Sequence, residues 1–167
     1  MNGNINGQAA EIMIQQVLME MTESHKPSPK SYDEVMKVIN ERYLPHTYHA
    51  LECVERYYGS LQVGVHLILD QCLGIDGFFE NEDGELFSYD VTVDTSPEKF
   101  NHKCTVQKMV APERTKLGFD KHILVYVITE KSYAQLTNDE KWSIIDQLEA
   151  ASQKVKSGSM TICKIVI

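Results

Sequence analysis

Two aspartates in one short stretch are the residues best suited to chemistry. Residues 74 to 95 read GIDGFFENEDGELFSYDVTVDT and hold seven carboxylates. Most of these gather near the turn, but Asp76 and Asp90 are set among apolar and β-branched neighbours. A strand that takes a carboxylate out of water raises its free energy unless a cation or a donor meets it. Asp83-Gly84 is a hairpin signal, and the two aspartates lie about equally far from it, so they fall within cross-strand reach of each other. Adjacent carboxylates raise each other's pKa unless a divalent cation lies between them. Mg²⁺ or Mn²⁺ suits such a pair, since these ions take one or two carboxylates and keep waters for substrate phosphates. There the ion would polarise a phosphodiester and generate the attacking hydroxide. The plain alternative is that Asp76 begins a strand and Asp90 lies on a solvated sheet face.

The flanking elements must hold that pair in place. GIDGFFEN and ELFSYDVTV read as two strands, with Asp90, Thr92 and Asp94 on one face and Tyr89, Val91 and Val93 on the other. Pro97 suits the first turn of a helix over 97–110, with Ser96 as its cap. After a Pro112–Gly118 loop, the apolar run HILVYVIT (122–129) predicts a strand buried on both faces. Thr137 caps a helix whose Trp142, Ile145, Leu148 and Ala151 share a side, Gly158 ends that region, and MTICKIVI closes the chain as a strand.

The first 73 residues read as helical. Ala9, Ile12, Met13, Val17 and Met21 follow a helical period, and HKPSPK (25–30) breaks the chain. Ser31 and Glu34 form a capping-box pattern ahead of Tyr32, Val35, Met36, Ile39 and Tyr43. Further helices are expected over His46–Tyr58 and Leu61–Leu73. The whole is one α/β domain, 1–167: a mainly helical part, 1–73, then a β-β-α-β-α-β core, 74–167, in a central mixed sheet flanked by helices.

At 167 residues the chain is long enough to bury a core. It shows no signal peptide and no apolar run of membrane-spanning length. Cys53, Cys72, Cys104 and Cys163 are widely spaced among apolar neighbours, as reduced core cysteines of a cytoplasmic protein would be. The net charge of −8 argues against nucleic acid as a partner, but its distribution does not. Residues 1–97 carry 5 Lys and Arg against 16 Asp and Glu, whereas residues 98–167 carry 11 against 8. Lys99, Lys103, Lys108, Arg114, Lys116 and Lys121 concentrate the basic excess directly after the acidic hairpin.

Helix, Gly-Ile-Asp, hairpin, Tyr-Asp-Val-Thr, helix and strand, over residues 50–130, resembles the core of the PD-(D/E)XK nuclease superfamily. The resemblance implies a restriction-endonuclease-like α-β-β-α-β-α-β core, here with extra N-terminal helices. It also implies metal-dependent cleavage of a nucleic-acid phosphodiester. Asp76 matches the first motif position, Asp90 the acidic residue of the (D/E)-x-K triplet, and Val91 the residue whose carbonyl contacts the metal. The lysine position is Thr92, so the cation must come from elsewhere, and Lys99 and Lys103, four apart on the next helix, are the candidates. Gln107, on that helix, matches a glutamine that some members keep. The resemblance further implies an acidic ligand from a preceding helix: Glu52, Glu55 or Asp70, with Glu55 preferred.

Other constellations are weaker. His46 and His49 share a helical face without a second zinc-spaced pair, and His66 reads as a core residue. Phosphate-loop, dinucleotide and hydrolase-elbow motifs are missing. The alternative function is a non-catalytic nuclease-fold protein acting as an interaction or regulatory subunit, which the acidic first 97 residues and Thr92 favour. An acidic protein that binds a basic protein partner needs only the charge, and the oligomeric state is open.

Overall fold

The computed structural model describes residues 4–21, 28–29, 74–93, 96–116 and 119–167. Helix α1 spans Gly7–Met21 and strand β1 Ser28–Pro29. A hairpin follows, of β2 (Gly77–Glu80) and β3 (Leu86–Thr92). Helices α2 (Pro97–Met109) and α3 (Ala111–Lys116) lead to β4 (Lys121–Ile128), and α4 (Asn138–Ser152) leads to β5 (Ser159–Val166). The sheet runs β1-β2-β3-β4-β5; β1, β2 and β3 pair antiparallel, while β3, β4 and β5 pair parallel. This is the expected α/β class with a mixed sheet between helices.

Alternation along the strands gives the sheet two unlike faces. One carries Phe87, Tyr89 and Val91 from β3, Ile123, Val125 and Val127 from β4, and Cys163 and Ile165 from β5. These pack with Met13, Ile14 and Val17 of α1 and Ile144 and Leu148 of α4 in one apolar core. The opposite face is polar along β3 and buries Ser88, Asp90 and Thr92, with His122 beside them on β4. Helix α2 covers it: Phe100 packs on Tyr126 with ring centroids 4.8 Å apart, and Gln107 is buried there.

The hairpin turn is organised by Asn81, which is fully buried. Its Oδ1 accepts from Asp83 N at 3.1 Å and Glu85 N at 2.8 Å, and Gly84 adopts the positive φ of 77° that lets the chain reverse. Helix α4 begins on a complete capping box: the Thr137 hydroxyl accepts from Glu140 N at 3.1 Å, and Glu140 accepts from Thr137 N at 2.9 Å.

Several expectations need correction. The HKPSPK break contains a strand: residues 28–29 pair with Phe79 and Glu80, adding a strand to the edge of the hairpin. The Pro112–Gly118 loop is largely helix α3, because a proline in the first turn of a helix removes no needed donor. The buried stripe of α1 is Ala10, Met13, Ile14, Val17 and Leu18, rotated from the expected one, and Ile12 is 46% exposed. On α4, Ile144 takes the core position and Trp142 is 44% exposed at its edge. Cys104 is only partly buried. The helices expected between Tyr32 and Leu73, with Cys53, Cys72, His46, His49 and His66, lie outside the described residues.

A candidate metal centre on the polar face of the sheet

The β2–β3 ladder fixes how the aspartates meet. Gly77 pairs with Tyr89, so Asp76 stands opposite Asp90, one residue before the regular pairing begins. The Asp76 N–H still reaches the Tyr89 carbonyl at 2.8 Å. Its Oδ2 accepts from Val91 N at 2.7 Å, taking the place of a backbone acceptor where β2 leaves the ladder. Asp90 acts on the Asp76 carboxyl across the hairpin. Asp76 and Asp90 are 8% and 2% exposed, so Asp90 is not on a solvated face.

Two buried carboxyls in contact cannot both stay ionised at ordinary cost. Burial, then the hydrogen bond and charge of Asp90, push the Asp76 carboxyl far above the usual carboxylate range, against the Val91 N–H. The charge of Glu11, on α1, adds to the rise and also raises the Tyr89 phenol, whose burial is the main cause there. The Asp76 carboxyl is therefore protonated at neutral pH.

Helix α2 completes the site. Lys103 Nζ lies 2.9 Å from Asp90 Oδ2, and Gln107 Nε2 donates to the same oxygen at 2.8 Å. Gln107 Nε2 also donates to the Gly74 carbonyl at 3.2 Å. A Cβ at Gly74 would stand 2.4 Å from that nitrogen, and its φ of +62° is one that L side chains rarely adopt. A Cβ at Gly77 would lie 2.4 Å from the Tyr89 hydroxyl, whose ring folds across the bare backbone. The bare Gly74 thus lets α2 approach the site, and the bare Gly77 lets the Tyr89 ring cross β2 on the apolar face.

The expected residues fare differently. Asp76, Asp90 and Lys103 come together. Within a strand the N–H and C=O of one residue point to the same neighbour, so the Val91 carbonyl faces the β2 side, as its N–H does. Thr92 is buried, 4% exposed, on the face of Asp90. Lys99 is one turn back along α2, lining an open cleft with Glu98, His102, Lys103 and Val106, and makes no ion pair with Asp76 or Asp90 among the described residues. Glu52, Glu55 and Asp70 lie outside the described residues. No group of three or more His, Cys, Asp or Glu is gathered among the described residues.

Three participants were not legible as such. Arg114, grouped in the sequence with a basic surface, is 1% exposed beneath the site and donates to Gln107 Oε1 at 2.8 Å. His122, 1% exposed, holds Ser88 Oγ at 2.8 Å through Nδ1, and its Nε2 has no partner among the described residues. Burial, then the charges of Arg114 and Lys103, hold His122 well below its ordinary pKa, so it is neutral. Glu11 sits on the first helix rather than on the later ones from which an acidic contributor is expected. Its position in GQAAEIMIQQ, one polar residue between apolar ones, is the only signal it offers.

No known protein family, curated protein or solved structure matches the chain.

Proposed function

We propose that this chain is a metal-dependent nuclease-like protein of the PD-(D/E)XK kind, hydrolysing phosphodiester bonds of nucleic acid. The observation that carries the proposal is that the buried Asp76 and Asp90 face each other and the partly exposed Lys103 ammonium reaches Asp90. Among the described residues the element order supports it as well: a helix, three antiparallel strands, then a helical crossover to a parallel strand.

The donor set fits Mg²⁺ or Mn²⁺. Two hard carboxylates face each other across the hairpin, a donor pair suited to such ions. Asp76 and Asp90 would hold the ion, with the Val91 carbonyl on the same side. When bound, it would supply polarisation of a phosphodiester. Lys103 would keep a positive charge beside the reacting phosphate in the place of the triplet lysine, with Lys99 and His102 along the cleft meeting neighbouring phosphates. Glu55 is the acidic residue to test for a third contribution.

The test is cleavage of single- and double-stranded DNA and RNA with Mn²⁺, beside melting with and without the ion. Wild type is expected to cleave at least one form and to melt higher with Mn²⁺, since an ion that binds only the folded chain stabilises it. Asp90→Asn is expected to lose both effects while remaining folded. Stabilisation by Mn²⁺ without cleavage of any form would favour the interaction-subunit alternative, to which Thr92 at the lysine position points. An equal metal response in wild type and mutant would place the ion elsewhere.

A further inference from the structure

Among the described residues Arg114 is the bulkiest fully buried side chain, 1% exposed, on a helix that the sequence reads as a loop. Its guanidinium reaches back onto α2, where Nη1 donates to Gln107 Oε1 at 2.8 Å and Nη2 to the Gln107 backbone carbonyl at 2.8 Å. Gln107, 1% exposed, directs its own Nε2 to Asp90 Oδ2 at 2.8 Å and to the Gly74 carbonyl at 3.2 Å. A carboxamide has a donor end and an acceptor end of nearly the same shape, so a glutamine beside a carboxylate can be turned either way. A guanidinium has no acceptor, so where it meets that amide only Oε1 fits. The nitrogen is then aimed at Asp90 by construction. Burial pulls the Arg114 pKa down to about 10, and the charge of Asp90 opposes the fall, so the group remains a cation at neutral pH. For packing alone, an apolar side chain of similar volume would serve without desolvating a charge. The guanidinium adds direction.

We infer that Arg114 is a positioning residue. By fixing the Gln107 amide it holds Asp90 with Oδ2 bound to Gln107 and Lys103, leaving Oδ1 as the oxygen for an ion. The inference rests on the metal-dependent reading and deepens it: the site is oriented from beneath by a helix that does not carry the carboxylates.

The test compares wild type, Arg114→Met, Arg114→Lys, Gln107→Met and the double methionine variant, each first shown folded by circular dichroism. In ¹⁵N-labelled wild type, the Gln107 side-chain amide protons, identified by their loss in Gln107→Met, are expected to be dispersed and slow to exchange with solvent. Arg114→Met is expected to speed that exchange and to weaken Mn²⁺ binding by about tenfold, as outer contacts to metal ligands commonly do. Arg114→Lys, which offers one ammonium in place of the fork, is expected to restore only part of both and serves if Arg114→Met does not fold. In the Gln107→Met background, Arg114→Met is expected to leave Mn²⁺ affinity unchanged. Unaltered Gln107 exchange in either folded Arg114 variant overturns the inference, as does an equal loss of affinity with and without Gln107. A wild type that binds no Mn²⁺ sinks the metal reading instead, and the amide comparison still decides whether Arg114 orients Gln107.

Discussion

At the scale of single residues, Asp76 has the clearest physical consequence, because its proton is tied to folding. The carboxyl is raised from an ordinary 3.8 in the folded chain, chiefly by burial and then by Asp90. The native state therefore binds this proton more tightly than the unfolded chain does. That contribution to stability is fully present below about pH 4 and is lost as pH rises through the folded pKa. The ion-free protein is expected to lose urea resistance between pH 5 and 9, by no more than about 1.4 kcal/mol per pH unit from this group. Asp76→Asn is expected to flatten that dependence and to melt above wild type at pH 8. A urea midpoint that falls equally steeply in the variant would assign the slope to another group. Gly74→Ala is a separate residue-scale test. It is expected to destabilise by about 1–3 kcal/mol, since a positive φ and the Gln107 amide both oppose a side chain. Denaturation of that variant alone decides it.

The elements were legible where the sequence carried its own punctuation. Asp83-Gly84 between alternating runs located the hairpin, and Pro97 and Thr137 located the starts of α2 and α4, because turn and cap chemistry is local. The facing of Asp76 and Asp90 followed from their distances to the turn. What escaped depends on tertiary context. Pro112 and Gly118 signal a loop as readily as a short helix, so α3 was missed, and with it the burial of Arg114. Strand β1 is two residues long and includes a proline, and pairing with β2 rather than propensity defines it. Helix α1 is apolar on more than one side, so periodicity could not say which stripe faces inward. Helix α2 was placed well enough to separate its lysines. Lys103 reaches Asp90, whereas Lys99 lines the cleft one turn away. Lys103→Ala is expected to cut cleavage about 10²–10³-fold while leaving Mn²⁺ binding intact, the range for losing one preorganised charge at a reacting group. Lys99→Ala is expected to act less, mainly on KM. Equal effects of the two on the turnover rate would show that α2 contributes only a charged surface.

At the scale of the whole molecule, the sheet of the described residues gives one face to stability and the other to a polar network. Core residues Phe87, Tyr89 and Val91 alternate with Ser88, Asp90 and Thr92 on the same strand, so β3 serves both purposes at once. Helix α1 and α4 close the first face and α2 the second. That division means a cation can enter the network from the strand or from the helix, and this chain takes it from the helix. Among the described residues no helix is long and apolar enough to cross a membrane. The last prediction exchanges the two sources. Thr92 lies two residues beyond Asp90 on the same face and is 4% exposed. A lysine there would find the Asp90 carboxylate within reach of its flexible stem, most easily when Lys103 no longer occupies Oδ2. Thr92→Lys combined with Lys103→Ala is therefore expected to recover at least about tenfold of the cleavage that Lys103→Ala loses, because electrostatic assistance depends on where the charge ends up, not on which element supplies it. Thr92→Lys alone is expected to add little, since two ammonium groups would then compete for one carboxylate. A double variant no faster than Lys103→Ala would mean that the position of the ammonium on α2 matters beyond its charge. A silent wild type made active by Thr92→Lys would instead identify a nuclease fold whose own cation, Lys103, braces Asp90 without assisting catalysis.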